Sequence, residues 1–131
     1  MSALLCLASA TTVVTLAAPT FTLAWNHSIE HVRWEEDYRI VGQRIELVEA
    51  RIQGSAAGMD PPPDARFDGV WWHYAPKDRW HEELRLTRSP FTADYELCIS
   101  GRCRSLGQIL PQKEGVTRAY ACAKRGPVEA R

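Results

Sequence analysis

The run Phe21-Thr-Leu-Ala-Trp-Asn-His-Ser-Ile-Glu30 constrains this chain more than any other stretch. Phe21, Leu23, Trp25 and His27 alternate with Thr22, Ala24, Asn26 and Ser28. Successive strand side chains point to opposite faces, so this period of two predicts a half-buried β-strand with one apolar face. The run ends in His27, Ser28 and Glu30, so a strand that enters the core also delivers a polar cluster at its end.

The rest of the chain reads as more strands. Tyr38-Arg-Ile-Val41 and Arg44-Ile-Glu-Leu-Val48 flank Gly42-Gln43, the spacing of a hairpin with a two-residue turn, and a leading glycine favours type II′. The second arm changes face along its length. Ile45 and Leu47 share one side, whereas Val48, Ala50 and Ile52 share the other, so either both faces are covered or a bulge intervenes. Glu49 sits near that slip, with Arg51 two residues on as a partner. Residues 54–64 hold three consecutive prolines and read as an extended loop. Further strands are expected around Gly69–Tyr74, Trp80–Leu86, Tyr95–Ile99 and Cys103–Leu106. Turn signals recur about every ten residues, with no repeats, heptads or long helical stripe. The expected fold is all-β: a single small antiparallel β-sandwich or barrel-like domain built from hairpins.

Length and composition narrow the class. A chain of 131 residues suits one domain with a real core, and 45% hydrophobic with 24% charged residues is an ordinary folded composition. The net charge is zero, with residues 1–65 at −4 and residues 66–131 at +4. The basic residues are scattered and no recognition motif accompanies them, which argues against nucleic-acid binding. We divide the chain into an apolar N-terminal segment, 1–20, a β domain, 21–110, and a polar C-terminal tail, 111–131, expected to fray. The first segment has two readings. Leu4-Leu-Cys-Leu7 and Val13-Val-Thr-Leu16 suit short strands, whereas Ala8-Ser-Ala10 and Leu16-Ala-Ala18 resemble the cleavage sites of a degenerate signal peptide. No Lys or Arg precedes Arg33, so the basic start of a signal peptide is missing, and the hydroxyl residues make a poor membrane span.

Cys98 and Cys103 bracket a second hairpin signal. With Ser100-Gly101 as the turn, Cys98 faces Cys103 in a non-hydrogen-bonded pair, where Cα atoms approach closely enough for a disulfide. The alternative is a pair of reduced thiols. A zinc site would need Cys122 or histidines as further ligands, and no second ligand pair follows at a recognised spacing. Cys6 and Cys122 have no evident partner.

His27, on the apolar face, is most simply a core-edge histidine satisfied by a carbonyl or by Glu30. A nucleophile built on Ser28 would need an oxyanion hole and a shaped elbow, and the flanking glycines are missing. A metal set of His27, Glu30 and His31 lacks a recognised spacing. The five tryptophans suit sheet packing first and a binding pocket second, and the adjacent Trp71 and Trp72 must point to opposite faces of a strand.

These blocks are also familiar as a set. Phe21-Thr-Leu-Ala-Trp-x-His-Ser-Ile-Glu30 with Trp34-Glu-Glu, the stretch from Leu47 to Met59 with its Pro-Pro, and Ser89-Pro-Phe-Thr-Ala-Asp-Tyr-Glu-Leu-Cys-x4-Cys103 resemble the bacterial family called domain of unknown function 1850. The resemblance spans roughly residues 4–110 and departs at Ala57, where a glycine is expected. It implies a small β-rich domain often encoded beside tripartite solute transporters of the TAXI type, and it brings no catalytic residues. Its recurring blocks map onto His27, Ser28, Glu30, Gly54, Gly58 and Met59, which we nominate as the functional cluster. The resulting expectation is a non-enzymatic accessory or binding domain of the cell envelope, in the periplasm or the cytoplasm. It would contact a TAXI-type transporter, its solute-binding protein or a small ligand, with no metal, cofactor or membrane span. The alternative is a small-molecule- or metal-binding enzyme using His27, Ser28 and Glu30.

Overall fold

Alternating side chains along the strands set the architecture. The computed structural model describes residues 3–26, 32–54 and 62–122. Among these described residues, twelve strands and one short helix follow one another: β1 Leu4–Ala8, β2 Val13–Ala17, β3 Thr20–Asn26, β4 Arg33–Val41, β5 Arg44–Gln53, β6 Arg66–Phe67, β7 Trp71–Tyr74, β8 Trp80–His81, β9 Leu84–Arg88, β10 Glu96–Ile99, β11 Arg102–Ser105, α1 Leu106–Ile109 and β12 Gly115–Ala121. They form two antiparallel sheets. The smaller has the order β2-β1-β12-β9, and the larger β11-β10-β3-β4-β5-β7-β6, with β8 also paired to β5. The fold is all-β and sandwich-like, as the period-two pattern predicts.

The core lies between the sheets. Leu5, Leu7, Leu84, Leu86 and Ala119 of the small sheet meet Phe21, Leu23, Tyr38, Ile45, Leu47 and Leu97 of the large one. Leu106 and Leu110, from and just after α1, close one end. Beside them the buried Arg88 donates to the Leu110 carbonyl at 3.1 Å and to Thr117 Oγ1 at 3.0 Å, and pairs with Asp94 at 3.3 Å.

Both hairpin turns follow their residues. Gly42 leads its turn at φ +64°, and Gln43 stays at negative φ, the type II′ arrangement. Ser100 and Gly101 are both left-handed, at φ 53° and 80°, as a type I′ turn requires. Cys98 pairs with Cys103 in the ladder beside that turn, and the two sulfurs are bonded.

The change of face in β5 is a bulge. The β4–β5 register shifts between Asp37 and Tyr38, opposite Val48, which is left half-exposed. Ile45 and Leu47 before it and Ala50 and Ile52 after it all end buried, and Glu49 and Arg51 turn to the opposite side.

Three expectations need correction. Residues 111–131 are not simply a fraying tail: Gly115–Ala121 forms β12, between β1 and β9 in the small sheet. Its inward residues Thr117 and Ala119 are too small and polar to give an apolar alternation. Cys6 and Cys122 do have partners, since they are bonded to each other and join β1 to the end of β12. The single strand expected over residues 80–86 is two: β8 pairs with β5 in the large sheet, and β9 pairs with β12 in the small one. In addition, the charged stretch before Tyr38 is strand as far back as Arg33.

Candidate functional site

The face of the large sheet turned away from the small sheet carries a row of side chains that is polar except at Ala24. Cross-strand partners align Glu96 on β10, Ala24 on β3, Glu35 on β4, Arg51 on β5, His73 on β7 and Arg66 on β6. The neighbouring row runs through Cys103, Cys98, Thr22, Asp37 and Glu49. Partners in a ladder lie about 5 Å apart on one face, so ionic side chains placed this way must meet.

Arg51 is the hub. Its guanidinium forks onto Asp37, Nη1 to Oδ2 at 2.7 Å and Nη2 to Oδ1 at 3.0 Å. Its Nε donates to Glu35 at 2.9 Å, and Nη1 reaches Glu49 at 3.2 Å. A planar five-donor fork can grip Asp37 with two parallel bonds and still reach two more carboxylates, whereas the three donors of a lysine ammonium offer no such bidentate grip. Thr22 donates to Asp37 at 2.7 Å. Arg33 binds Glu35 at 2.8 Å and crosses β3 to Glu96 at 2.9 Å, above the fully buried Ala24. Trp71 lies under the Arg51 guanidinium at 5.9 Å.

His73 extends the network. Nδ1 contacts Glu49 at 2.9 Å and Nε2 contacts Asp68 at 2.7 Å. Hydrogen bonds to Glu49 and Asp68 raise the imidazole pKa. Asp68 is lowered to about 2 by backbone donation from Trp71, the His73 bond and the Val70 N–H. Burial pushes Asp37 up, but the hydrogen bonds from Arg51 and Thr22 with the nearby charges outweigh it and hold the carboxyl below its usual range. Further along the same face Glu46 lies between Arg39 and Arg79, and the hydrogen bonds of these two arginines depress its pKa. The Glu46 side chain is only 3% exposed because the guanidinium groups themselves cover it.

Beside the hub is a concavity of about 600 Å³, within the size range of small-molecule sites. Thr22, Asp37, Val48 and Arg51 form its floor, and Cys98 and Ser100 of the stapled hairpin form one wall. Glu96, Cys98 and Cys103 bring ligand-type atoms together, but both sulfurs are consumed by the disulfide, which leaves a single carboxylate.

Of the nominated residues, His27, Ser28, Glu30, Gly58 and Met59 lie outside the described residues, so the structure neither assembles nor separates the His27 cluster. Gly54 is described. It ends β5 at φ +75°, a conformation that calls for glycine, and its N–H donates to the Val70 carbonyl at 2.6 Å. The pairing of Asn26 with Arg33, and of Trp34 with Ile52, puts the end of β3 and Gly54 at the same end of the large sheet. Sequence reasoning paired Glu49 with Arg51 but missed the rest of the network. Its signal was the alternation of Arg33, Glu35 and Asp37 with Trp34, Glu36 and Tyr38, a strand pattern with charge at every position of one side and two aromatic residues flanking Glu36 on the other.

No curated protein matches this chain, and no solved structure matches it. The family model for the domain of unknown function DUF1850 matches residues 21–106, from the amphipathic strand β3 through the ionic rows to the stapled hairpin. With well over half of its length covered by that match, the chain belongs to the DUF1850 family.

Proposed function

We propose that this protein is a non-catalytic accessory domain of the cell envelope, acting by contact with a TAXI-type tripartite solute transporter or its solute-binding protein. The observation that carries the reading is the saturation of the outer ionic network. Arg51 is spent on Glu35, Asp37 and Glu49, and both His73 nitrogens are occupied by carboxylates. A general base needs a free lone pair within reach of its substrate, and neither group offers one. What the network provides is a fixed, patterned polar surface beside a concavity, which suits recognition. The pairing of all four cysteines supports an oxidising compartment, because disulfides persist there and not in a reducing cytosol. The transporter as partner is the part of the proposal that rests on the gene neighbourhood implied by the sequence resemblance.

The test is affinity isolation of the tagged chain from its native host with the disulfides intact, followed by identification of co-purifying subunits. Recovery of transporter components with wild type, and their loss with a folded Glu35→Lys, Glu49→Lys double variant, is expected. An empty isolation with wild type would remove the transporter from the account.

A further inference from the structure

The opposite face of the same sheet borders a second cavity, and the inference drawn from it is independent of the transporter reading. Between the two sheets is a cleft of about 380 Å³ lined by the polar and aromatic groups of Trp25, Glu36, Tyr38, His81 and Tyr95, by the hydrocarbon of Leu23, Leu84 and Leu86, and by the Glu83–Arg85 pair. Leu23, Glu36, Ala50 and Tyr74 form one cross-strand row, so Glu36 is a carboxylate placed among apolar and aromatic neighbours.

Glu36 has few protein partners. The Tyr38 hydroxyl donates to its Oε1, and among the described residues no other donor reaches either oxygen. Among the described residues no guanidinium or ammonium binds it, in contrast to Glu35, Asp37 and Glu49 around Arg51. Arg85, at the rim, is engaged by Glu83 at 3.0 Å, and Glu83 also takes Arg118 at 3.2 Å, so the rim cations are already paired. Burial pushes the Glu36 carboxyl above its usual range, against the opposing pull of the Tyr38 hydrogen bond and His81. Glu36 is half-buried, and beyond the Tyr38 hydroxyl it has only the nearby His81 ring as a partner of opposite sign. The Nε2 of His81 is also buried with no partner among the described residues.

The aromatic walls supply the rest. Trp25 and Tyr95 meet edge to face, with centroids 5.9 Å apart and planes at 62°. Tyr38 closes the other side, stacked on Phe21 at 5.2 Å. Rings at an angle around a carboxylate stabilise a cation twice, through their quadrupoles and through the negative charge, and exclude water while doing so.

We propose that this inter-sheet cleft binds a small organic cation, with an ammonium head on Glu36 between Trp25, Tyr38 and Tyr95 and a short carbon body against Leu84 and Leu86. The size of the cleft limits the ligand to a small molecule, and its hydrocarbon floor favours a substituted ammonium over a bare metal ion.

The test is calorimetric titration of the disulfide-intact protein with choline and with n-butylammonium, each compared with its neutral carbon or alcohol isostere. At least one cation is expected to bind at least about tenfold more tightly than its isostere, since one desolvated charge contact is worth that factor or more. Glu36→Gln keeps the shape and an acceptor for Tyr38, and should lower cation affinity about tenfold or more without changing isostere binding. Tyr95→Leu, at the cleft wall, should weaken cations more than isosteres. Equal affinity for cation and isostere, no binding of either cation, or unchanged affinity in a folded Glu36→Gln protein would each overturn the proposal. None of these results depends on whether a transporter co-purifies.

Discussion

Glu36 and Asp37 are adjacent on one strand and end in opposite electrostatic worlds. Asp37 points to the outer face, where Arg51 forks onto it, and its pKa is held down. Glu36 points between the sheets, where among the described residues the Tyr38 hydroxyl is its one hydrogen-bond donor, and burial pushes its pKa up. Strand alternation makes that difference, since a shift of one residue exchanges the faces. On the outer face acids find guanidinium groups and form a closed network, whereas on the inner face an acid is left with a need that a ligand can fill.

The covalent links divide along the same line, and breaking them gives the largest expected effects. Cys6–Cys122 ties the small sheet that covers the inner face, across a sequence separation of 116, and Cys98–Cys103 staples the outer face across a separation of 5. Chain-entropy arguments make the long link worth about 4–5 kcal/mol and the short one about 2 kcal/mol. Denaturant unfolding of the two double-serine variants should show that ranking, and equal losses would contradict it.

Next come neighbouring side chains on the two faces. Leu23→Ala removes core packing and should cost about 3 kcal/mol, whereas Thr22→Val removes one hydrogen bond to Asp37 and should cost about 1 kcal/mol. If Thr22→Val cost as much as Leu23→Ala, the outer face would be a second core rather than a polar surface.

Arg51→Met should lose about 1–2 kcal/mol. The value is reduced because Asp37 and Glu49 are about a third exposed and solvent screens their repulsion. The sharper readout is carboxyl titration by NMR. The Asp37 pKa should rise in this variant while that of Glu36 stays above the usual range, and a matching rise in both would show that the faces are coupled.

The smallest effect is the pH dependence of the His73 bridge. Its folded pKa is raised above 6.5, so its contribution is full below the unfolded value and is lost as pH rises through the folded one. Asp68 runs the other way. Its contribution is present above 3.8 and fades as pH falls toward about 2. His73→Gln should remove the decline near neutrality from the melting temperature profile and leave the acid limb in place. A neutral-range decline that persists in the variant would assign it to another group.

Much of the fold was legible because hydrophobic alternation survives in single strands. Phe21, Leu23 and Trp25 announce β3, Gly42-Gln43 announces its hairpin, and the slip after Leu47 marks the place where the ladder register shifts, though covering of both faces would have left the same trace. β12 was illegible because its buried positions are Thr117 and Ala119, and it gains its place from partners on both sides. The split of residues 80–88 between two sheets leaves no local trace either, because Trp80, Leu84 and Leu86 satisfy one strand pattern as well as two. The candidate sites were less legible still. The Glu49–Arg51 pair is close in sequence, but Asp37, His73 and Asp68 join it only through ladder register.

The sequence by itself determined the strand class, the two tight turns, the facing of Cys98 and Cys103, and which residues of β3 point inward. Each of these is a rule about neighbours along the chain: period two, the φ that glycine allows, the closeness of a cross-hairpin pair. The tertiary structure decided the pairing of Cys6 with Cys122, the central place of β12, the Arg51 network and the isolation of Glu36. These depend on which strands lie side by side and which sheet covers which face, and such contacts join residues too far apart along the chain for any local pattern to record them.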